Sequence, residues 1–180
     1  MDIAVLFADV RGSTGLGELL PPSAFAALMN NFYQVATKVL VAHDAIIDKL
    51  VGDEVMALFV PGFCGSSYRL SAAEAGEALV RAVGYGGSGK PWLPLGVGVH
   101  TGPAYVGNVG SGSITDFTAL GDTINTAARL QAEASGGEVV LSEAVYETAA
   151  ERYPDLEQRL LTLPGRGDPI TVRVLRPSSR

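Results

Sequence analysis

A chain of 180 residues with 47% hydrophobic and 18% charged content has room for one domain spanning residues 1–180 that buries roughly 70% of its unfolded surface, and it is neither disordered nor of low complexity. The formal net charge of −6 lacks the cation excess that nucleic-acid binding requires. The single cysteine, Cys64, cannot form an internal disulfide, which fits a reducing compartment; no stretch supplies about 20 consecutive apolar residues for a membrane span. These features predict a cytoplasmic domain, free-standing or part of a larger sensor or membrane protein, with no nucleic-acid or membrane contact of its own.

The opening "DIAVLFAD" is an apolar run that ends on Asp9 and passes into "VRGST". It reads as a buried strand feeding a glycine-containing loop and a short helix, and its acidic second residue distinguishes it from a signal peptide. After Pro21-Pro22, Phe25, Leu28, Met29, Phe32, Val35, Val39 and Leu40 recur at helical spacing and predict a long amphipathic helix. Next, "IIDKLVGDEVMALF" predicts a hairpin with strands near 45–51 and 54–60 that meet at Gly52-Asp53. Strand alternation sets its Lys49 on the face opposite Leu50.

"PGFCGSSYRL" reads as a loop, and Ser71 to Glu74 has the capping-box pattern, starting a helix that runs to about Val83. A glycine-rich loop without evident chemistry follows. "LPLGVGVHTG" and "PAYVGNVG" predict two strands joined by a tight turn at Gly102-Pro103, and a helix runs from about Thr123 to Ala134. "EVVL" is a strand, Ser142 caps a helix to about Ala150, and "ITVRVL" is a last strand with period-two alternation. This βαββαβ order, with elements appended, predicts an α+β fold: a ferredoxin-like core sheet with helices on one face.

In such a sheet the first strand is central and lies beside the third, so Asp9 and Asp53 can meet. Paired carboxylates with room for water and a polyphosphate suit Mg²⁺, and two such ions can activate an attacking oxygen and neutralise a leaving one. The bland alternative is a helix-capping Asp9 and an ordinary turn Asp53. Backbone N–H groups in "VRGST" offer a phosphate cradle at a helix start. Asn125 and Arg129, four apart, share a helix face away from the apolar side formed by Ile124, Ala127, Leu130 and Ala134. They form either a solvated stripe or an amide and guanidinium suited to a ribose and a phosphoryl group. Lys49 is either an edge lysine or a donor to a ring nitrogen without hydrogen, such as N1 of adenine. His43, His100 and Cys64 match no ligand spacing.

Taken in order, "VLFADVRGST", "DKLVGDEVMALF", "GVGVHTGPAYVGNVG", "DFTALGDTINTAARL" and, more weakly, "LPGRGDPITVRVL" resemble the class III nucleotide cyclase catalytic domain over nearly the whole chain, in its threonine-type subgroup. The resemblance implies synthesis of a 3′,5′-cyclic nucleotide and pyrophosphate from a nucleoside triphosphate. Asp9 and Asp53, with the Val10 carbonyl, would hold two Mg²⁺ or Mn²⁺ ions, while Gly12, Ser13 and Thr14 would contact the substrate. Asn125 would orient the ribose and Arg129 would stabilise charge on the α-phosphoryl group. Lys49 and Thr118 would read the base, and their identities favour ATP. Sites would form across a head-to-tail homodimer, with the metal aspartates from one subunit and Lys49, Thr118, Asn125 and Arg129 from the other.

The chain departs from the family pattern in two places. Ile114 and Thr115 stand where members often carry arginine, and Pro164 stands where many carry lysine. Arg11, Lys90 and Arg166 are the candidate replacements for these triphosphate-binding cations. The alternatives to an adenylate cyclase are a degenerate nucleotide-binding module and a guanylate cyclase; "VGDEV" lacks the Gly-Gly signature of a GGDEF diguanylate cyclase.

Overall fold

The computed structural model describes residues 1–179. Strand β1 (Asp2–Val10) is apolar throughout because both of its faces are covered. Ala4, Leu6, Ala8 and Val10 enter one core, and Ile3, Val5 and Phe7 enter another on the opposite side. Helix α1 (Ser13–Leu19) follows Gly12, whose φ of 67° lies in the left-handed region that glycine enters freely. Helix α2 (Pro22–Ala42) starts on a proline, whose missing N–H costs nothing at that position. It buries Met29, Phe32, Ala36 and Leu40 along one stripe.

The hairpin forms as expected, as β2 (Ile46–Val51) and β3 (Glu54–Phe59) around Gly52, whose φ is 60°. Its alternation does not survive intact. Ile47 faces Ala57 and Lys49 faces Met56, so Asp48 is an extra residue in a β-bulge, a device that re-aims side chains. The predicted loop after β3 is instead one helical turn, α3 (Pro61–Cys64), and a short 3₁₀ segment. Helix α4 (Tyr68–Ala82) then begins ahead of Ser71, so that serine lies inside the helix and caps nothing.

Strand β4 (Leu95–Pro103) pairs antiparallel with β1. The turn after it does not fold the chain back into the same sheet. Instead β5 (Tyr105–Ser111) and β6 (Ile114–Leu120) form a separate two-stranded ribbon. Helix α5 (Asp122–Ala132) follows, then β7 (Val139–Ser142), parallel to β4. The chain continues with α6 (Glu143–Ala149), β8 (Glu157–Leu161) and β9 (Ile170–Leu175). Ser142 stands at the N-cap of α6, but its hydroxyl makes no capping bond.

The sheet order is β2-β3-β1-β4-β7-β9-β8. β8 was not expected from the sequence: "EQRLL" carries only two apolar residues and lies at the edge, where one side of the strand needs no partner. Helices α2, α4 and α6 make the expected helical layer and share its core. The other face is also covered, by α5 through Ala127 and Leu130, with Ala134 just past its end, together with Ala104 and Ala119 of the ribbon region. Gly98 permits that docking: a Cβ there would stand 2.2 Å from the Gln131 nitrogen and 2.8 Å from the Ala127 carbonyl oxygen.

Candidate active site

Asp9 and Asp53 come together at the same end of the sheet. Asp9 is opposite Glu54 in the β1–β3 register, and the Val10 N–H donates to the Asp53 carbonyl at 3.1 Å. Burial and the Asp53 carboxylate together raise the Asp9 carboxyl to about 6, although the Arg11 guanidinium, 3.1 Å from Asp9 Oδ2, pulls the other way. Asp9 Oδ1 is buried and makes no hydrogen bond. Two crowded carboxylates, one with an unsatisfied oxygen, are an arrangement that a divalent cation relieves. The hairpin tip is held from α2 by Tyr33, whose hydroxyl donates to the Gly52 carbonyl.

Arg11 also donates from Nη1 to the carbonyls of Gln131 and Ala134, at 3.3 and 3.2 Å. It therefore ties Asp9 to the C-terminal end of α5, where the guanidinium also suits the helix dipole. Nη1 and Nη2 are thus directed within the fold, while the buried Nε has no partner. Arg166 is likewise engaged: it pairs with Asp122 and donates to Thr126 Oγ1 at 2.9 Å. His100, which feels the Arg166 and Asp122 charges, is held by burial and Arg166 at about 4, so it is neutral at physiological pH.

A second group forms where β2 meets β6. Lys49 Nζ lies 3.5 Å from Asp116 Oδ2 and 3.9 Å from Asp48 Oδ2. Thr118 Oγ1 donates to Asp48 Oδ2 at 3.1 Å. Lys49 and Thr118, predicted from sequence to act together, are thus brought together, with Asp48 between them. Neither Asp48 nor Asp116 was singled out from the sequence. For Asp48 the available signal was a carboxylate inside the apolar run of β2, a position that must be paired if buried.

Asn125 is exposed and Arg129 half-buried on α5, both outside the buried stripe of Thr123, Thr126, Ala127, Leu130 and Gln131. A methyl group at Gly165 would lie 3.6 Å from Arg129 Nη2, so the loop after β8 closes on this face of the helix. Among the described residues no hydrogen bond or ion pair links Asn125 or Arg129 to the Asp9–Asp53 pair or to Lys49 and Thr118. A cavity of about 490 Å³ opens on the helical layer, lined by His43, Glu74, Glu77, Arg81 and Tyr153. It is distant in the fold from all of these groups and does not define the site.

The sheet built on β1, its two aspartates at one strand end and the α5 layer across it are the architecture of a class III nucleotide cyclase catalytic domain. The chain belongs to the adenylate and guanylate cyclase catalytic domain family, whose model matches residues 1–175. It is 30% identical to an adenylate cyclase from Anabaena cylindrica over 151 residues, covering 79% of this chain and 30% of that protein. Adenylate cyclase 1 of Rhizobium meliloti is also 30% identical, over 72% of this chain and 20% of its own length. The chain therefore spans less than a third of these two relatives. Among solved structures, the guanylyl cyclase Cya2 superposes with a TM-score of 0.89 at 25% identity, covering 100% of this chain and 94% of that one. The adenylyl cyclase CyaB from P. aeruginosa gives 0.82 at 30% identity, with 99% and 95% coverage.

Proposed function

We propose that this chain is an adenylate cyclase domain that converts ATP to 3′,5′-cyclic AMP and pyrophosphate at two equivalent sites shared across a head-to-tail homodimer. The observation that carries the base assignment is the cluster of Lys49 and Thr118 around Asp48. An ammonium group only donates, which suits the unprotonated N1 of adenine and not N1–H of guanine. Two relatives at 30% identity bear the name adenylate cyclase, which agrees with this reading.

Asp9, Asp53 and the Val10 carbonyl would hold two Mg²⁺ or Mn²⁺ ions, a donor set that fits the orphaned Asp9 Oδ1 and the raised Asp9 pKa. When bound, such ions lower the pKa of the ribose 3′-hydroxyl and neutralise charge on the β- and γ-phosphates. The backbone at Gly12, Ser13 and Thr14 receives phosphate oxygens. Asn125 holds the ribose so that its 3′-oxygen lies in line with the α-phosphorus. As that oxygen bonds to phosphorus and releases its proton to water, the bond to the β-phosphate breaks and pyrophosphate leaves. Arg129 stabilises the charge spread over the α-phosphoryl oxygens.

Among the described residues of one chain no hydrogen bond or ion pair joins the aspartate pair to Asn125 or Arg129, which supports the shared-site reading. A second copy in head-to-tail arrangement supplies the missing set to each site. Tyr105, Phe117 and Leu120, exposed on the ribbon, offer apolar surface for that contact.

The test is purified protein with Mn²⁺ and either ATP or GTP, assayed for cyclic product beside Asp53→Ala. Cyclic AMP from the wild type and none above background from the variant is expected. No cyclic AMP at high protein concentration would overturn the activity, and equal use of GTP would overturn the base assignment.

A further inference from the structure

A hydroxyl can accept or donate, so the presence of Thr118 near a base does not by itself decide which base is preferred. Its single proton has to point somewhere. Here Thr118, only 5% exposed, directs Oγ1 to Asp48 Oδ2 at 3.1 Å. An ionised carboxylate accepts and cannot donate, so the proton lies on the Thr118 side and points at Asp48. The oxygen that remains available to a ligand then offers only lone pairs.

Asp48 itself is unusual. Its side chain is 1% exposed, Oδ1 has no partner, and Oδ2 is met by Thr118 and Lys49. Burial pushes its carboxyl above the ordinary range and the nearby Asp116 charge adds to that, while Thr118 and Lys49 oppose it. Leaving a carboxylate oxygen unpaired in the interior is costly. A simple tie between β2 and the ribbon could be made by a neutral amide without that cost. The bulge that turns Asp48 inward also breaks the strand's regular pairing.

We propose that Asp48 is a positioning residue that sets base specificity: by taking the Thr118 proton it fixes that hydroxyl as an acceptor, which selects a purine with a donating 6-amino group and disfavours one with a 6-carbonyl. With Asp116 it also holds Lys49 in place to donate to the ring nitrogen. The proposal rests on the reading that Lys49 and Thr118 face the base. It goes beyond that reading in assigning the polarity of the contact to a third residue that need not touch substrate.

The test compares wild type, Asp48→Ala, Asp48→Asn, Thr118→Val and the Asp48→Ala/Thr118→Val double variant in the full chain. Each is given ATP, GTP and purine riboside triphosphate, which lacks a 6-substituent. Preference is read as the ratio of kcat/KM values and as competition against a fluorescent nucleotide, with melting curves recorded for every protein. Asp48→Ala is expected to lower the ATP-to-GTP ratio about tenfold, chiefly through KM, because the freed Thr118 hydroxyl can then donate to a carbonyl. It should also shrink the advantage of ATP over purine riboside triphosphate. On the Thr118→Val background the same change should add nothing, since the two residues act through one contact. Asp48→Asn preserves shape but can turn either its carbonyl oxygen or its N–H₂ towards Thr118, so the hydroxyl is no longer fixed as an acceptor; this variant decides the matter if the alanine variant does not fold, and it should lower the ratio at least about threefold. A wild type without ATP preference overturns the base reading itself. A wild type that prefers ATP while both Asp48 variants keep its ratio, with only melting temperature changed, overturns the role of Asp48 and leaves the base reading standing. Equal losses with and without Thr118 would do the same.

Discussion

Lys49 Nζ lies 3.5 Å from the Asp116 carboxylate, so the lysine of β2 is paired to the ribbon strand β6 within its own subunit. Exchanging that cation for an anion would place a third carboxylate beside Asp48 and Asp116, and like charges at such range repel. Lys49→Glu is therefore expected to lose ATP turnover by at least about tenfold without gaining GTP turnover. Steady-state kcat/KM on both nucleotides checks this, and a variant that uses GTP as well as the wild type uses ATP would contradict it.

The proposed sharing of Asp9 and Asp53 from one subunit with Asn125 and Arg129 from the other has a direct test. Asp9→Ala and Asn125→Ala homodimers should each be inactive. Mixed subunits should recover up to one competent site per heterodimer, visible as cyclic AMP formation after co-refolding or co-expression. Confirmed heterodimers that stay inactive would argue that each chain builds its own site.

Gly98 controls the approach of α5 to the sheet. In Gly98→Ala the new methyl meets the Gln131 nitrogen and the Ala127 carbonyl, backbone atoms that cannot rotate away. Overpacking of this kind costs about 1–3 kcal/mol, and here it also displaces the helix that carries Asn125 and Arg129. Reduced urea-unfolding stability together with reduced activity is expected; a variant stable but inactive would mean that the helix shifts without loosening.

Glu138 supplies a pH dependence unconnected to catalysis. Burial would raise its carboxyl, but Arg159, the Ser135 N–H and Arg176 outweigh burial and hold it at about 2. A folded pKa below the ordinary 4.5 means that the contribution is fully present above that pH and is lost as pH falls from 4.5 towards 2. Urea midpoints measured across this window should fall less for Glu138→Gln than for wild type, and parallel curves would show that the cluster contributes nothing.

Much of the fold was legible because its signals are local. β1 declares burial on both faces by an unbroken apolar run, α2 by a helical stripe, and the β2–β3 hairpin by Gly52 at its tip. The elements misjudged are those whose partners are distant in sequence. The β5–β6 ribbon leaves the main sheet because β7, arriving from beyond α5, occupies the parallel position beside β4. β8 needs the edge of β9 to exist at all, and α4 begins early because Tyr68 finds a place in the core. The candidate site divides in the same way: residue types and spacings pointed to Asp9, Asp53 and Lys49, and the family resemblance to Thr118, but the link between Lys49 and Thr118 through Asp48 depends on a bulge that no alternation pattern announces.

By itself, then, the sequence determined the class of the protein and the chemical character of its candidate residues, because apolar periodicity and the order of short motifs are properties of the chain alone. Only the tertiary structure decided which groups lie against each other. It brought Asp9 and Asp53 to one strand end, set Asp48 under Lys49 and Thr118, and directed the hydrogen bonds of Arg11 and Arg166 within the fold. Hydrogen-bond polarity and carboxylate pKa values arise from distances of a few ångströms between residues that stand up to about 70 positions apart in these pairs, from Asp9 with Asp53 to Asp48 with Thr118. Those distances exist only once the chain has folded.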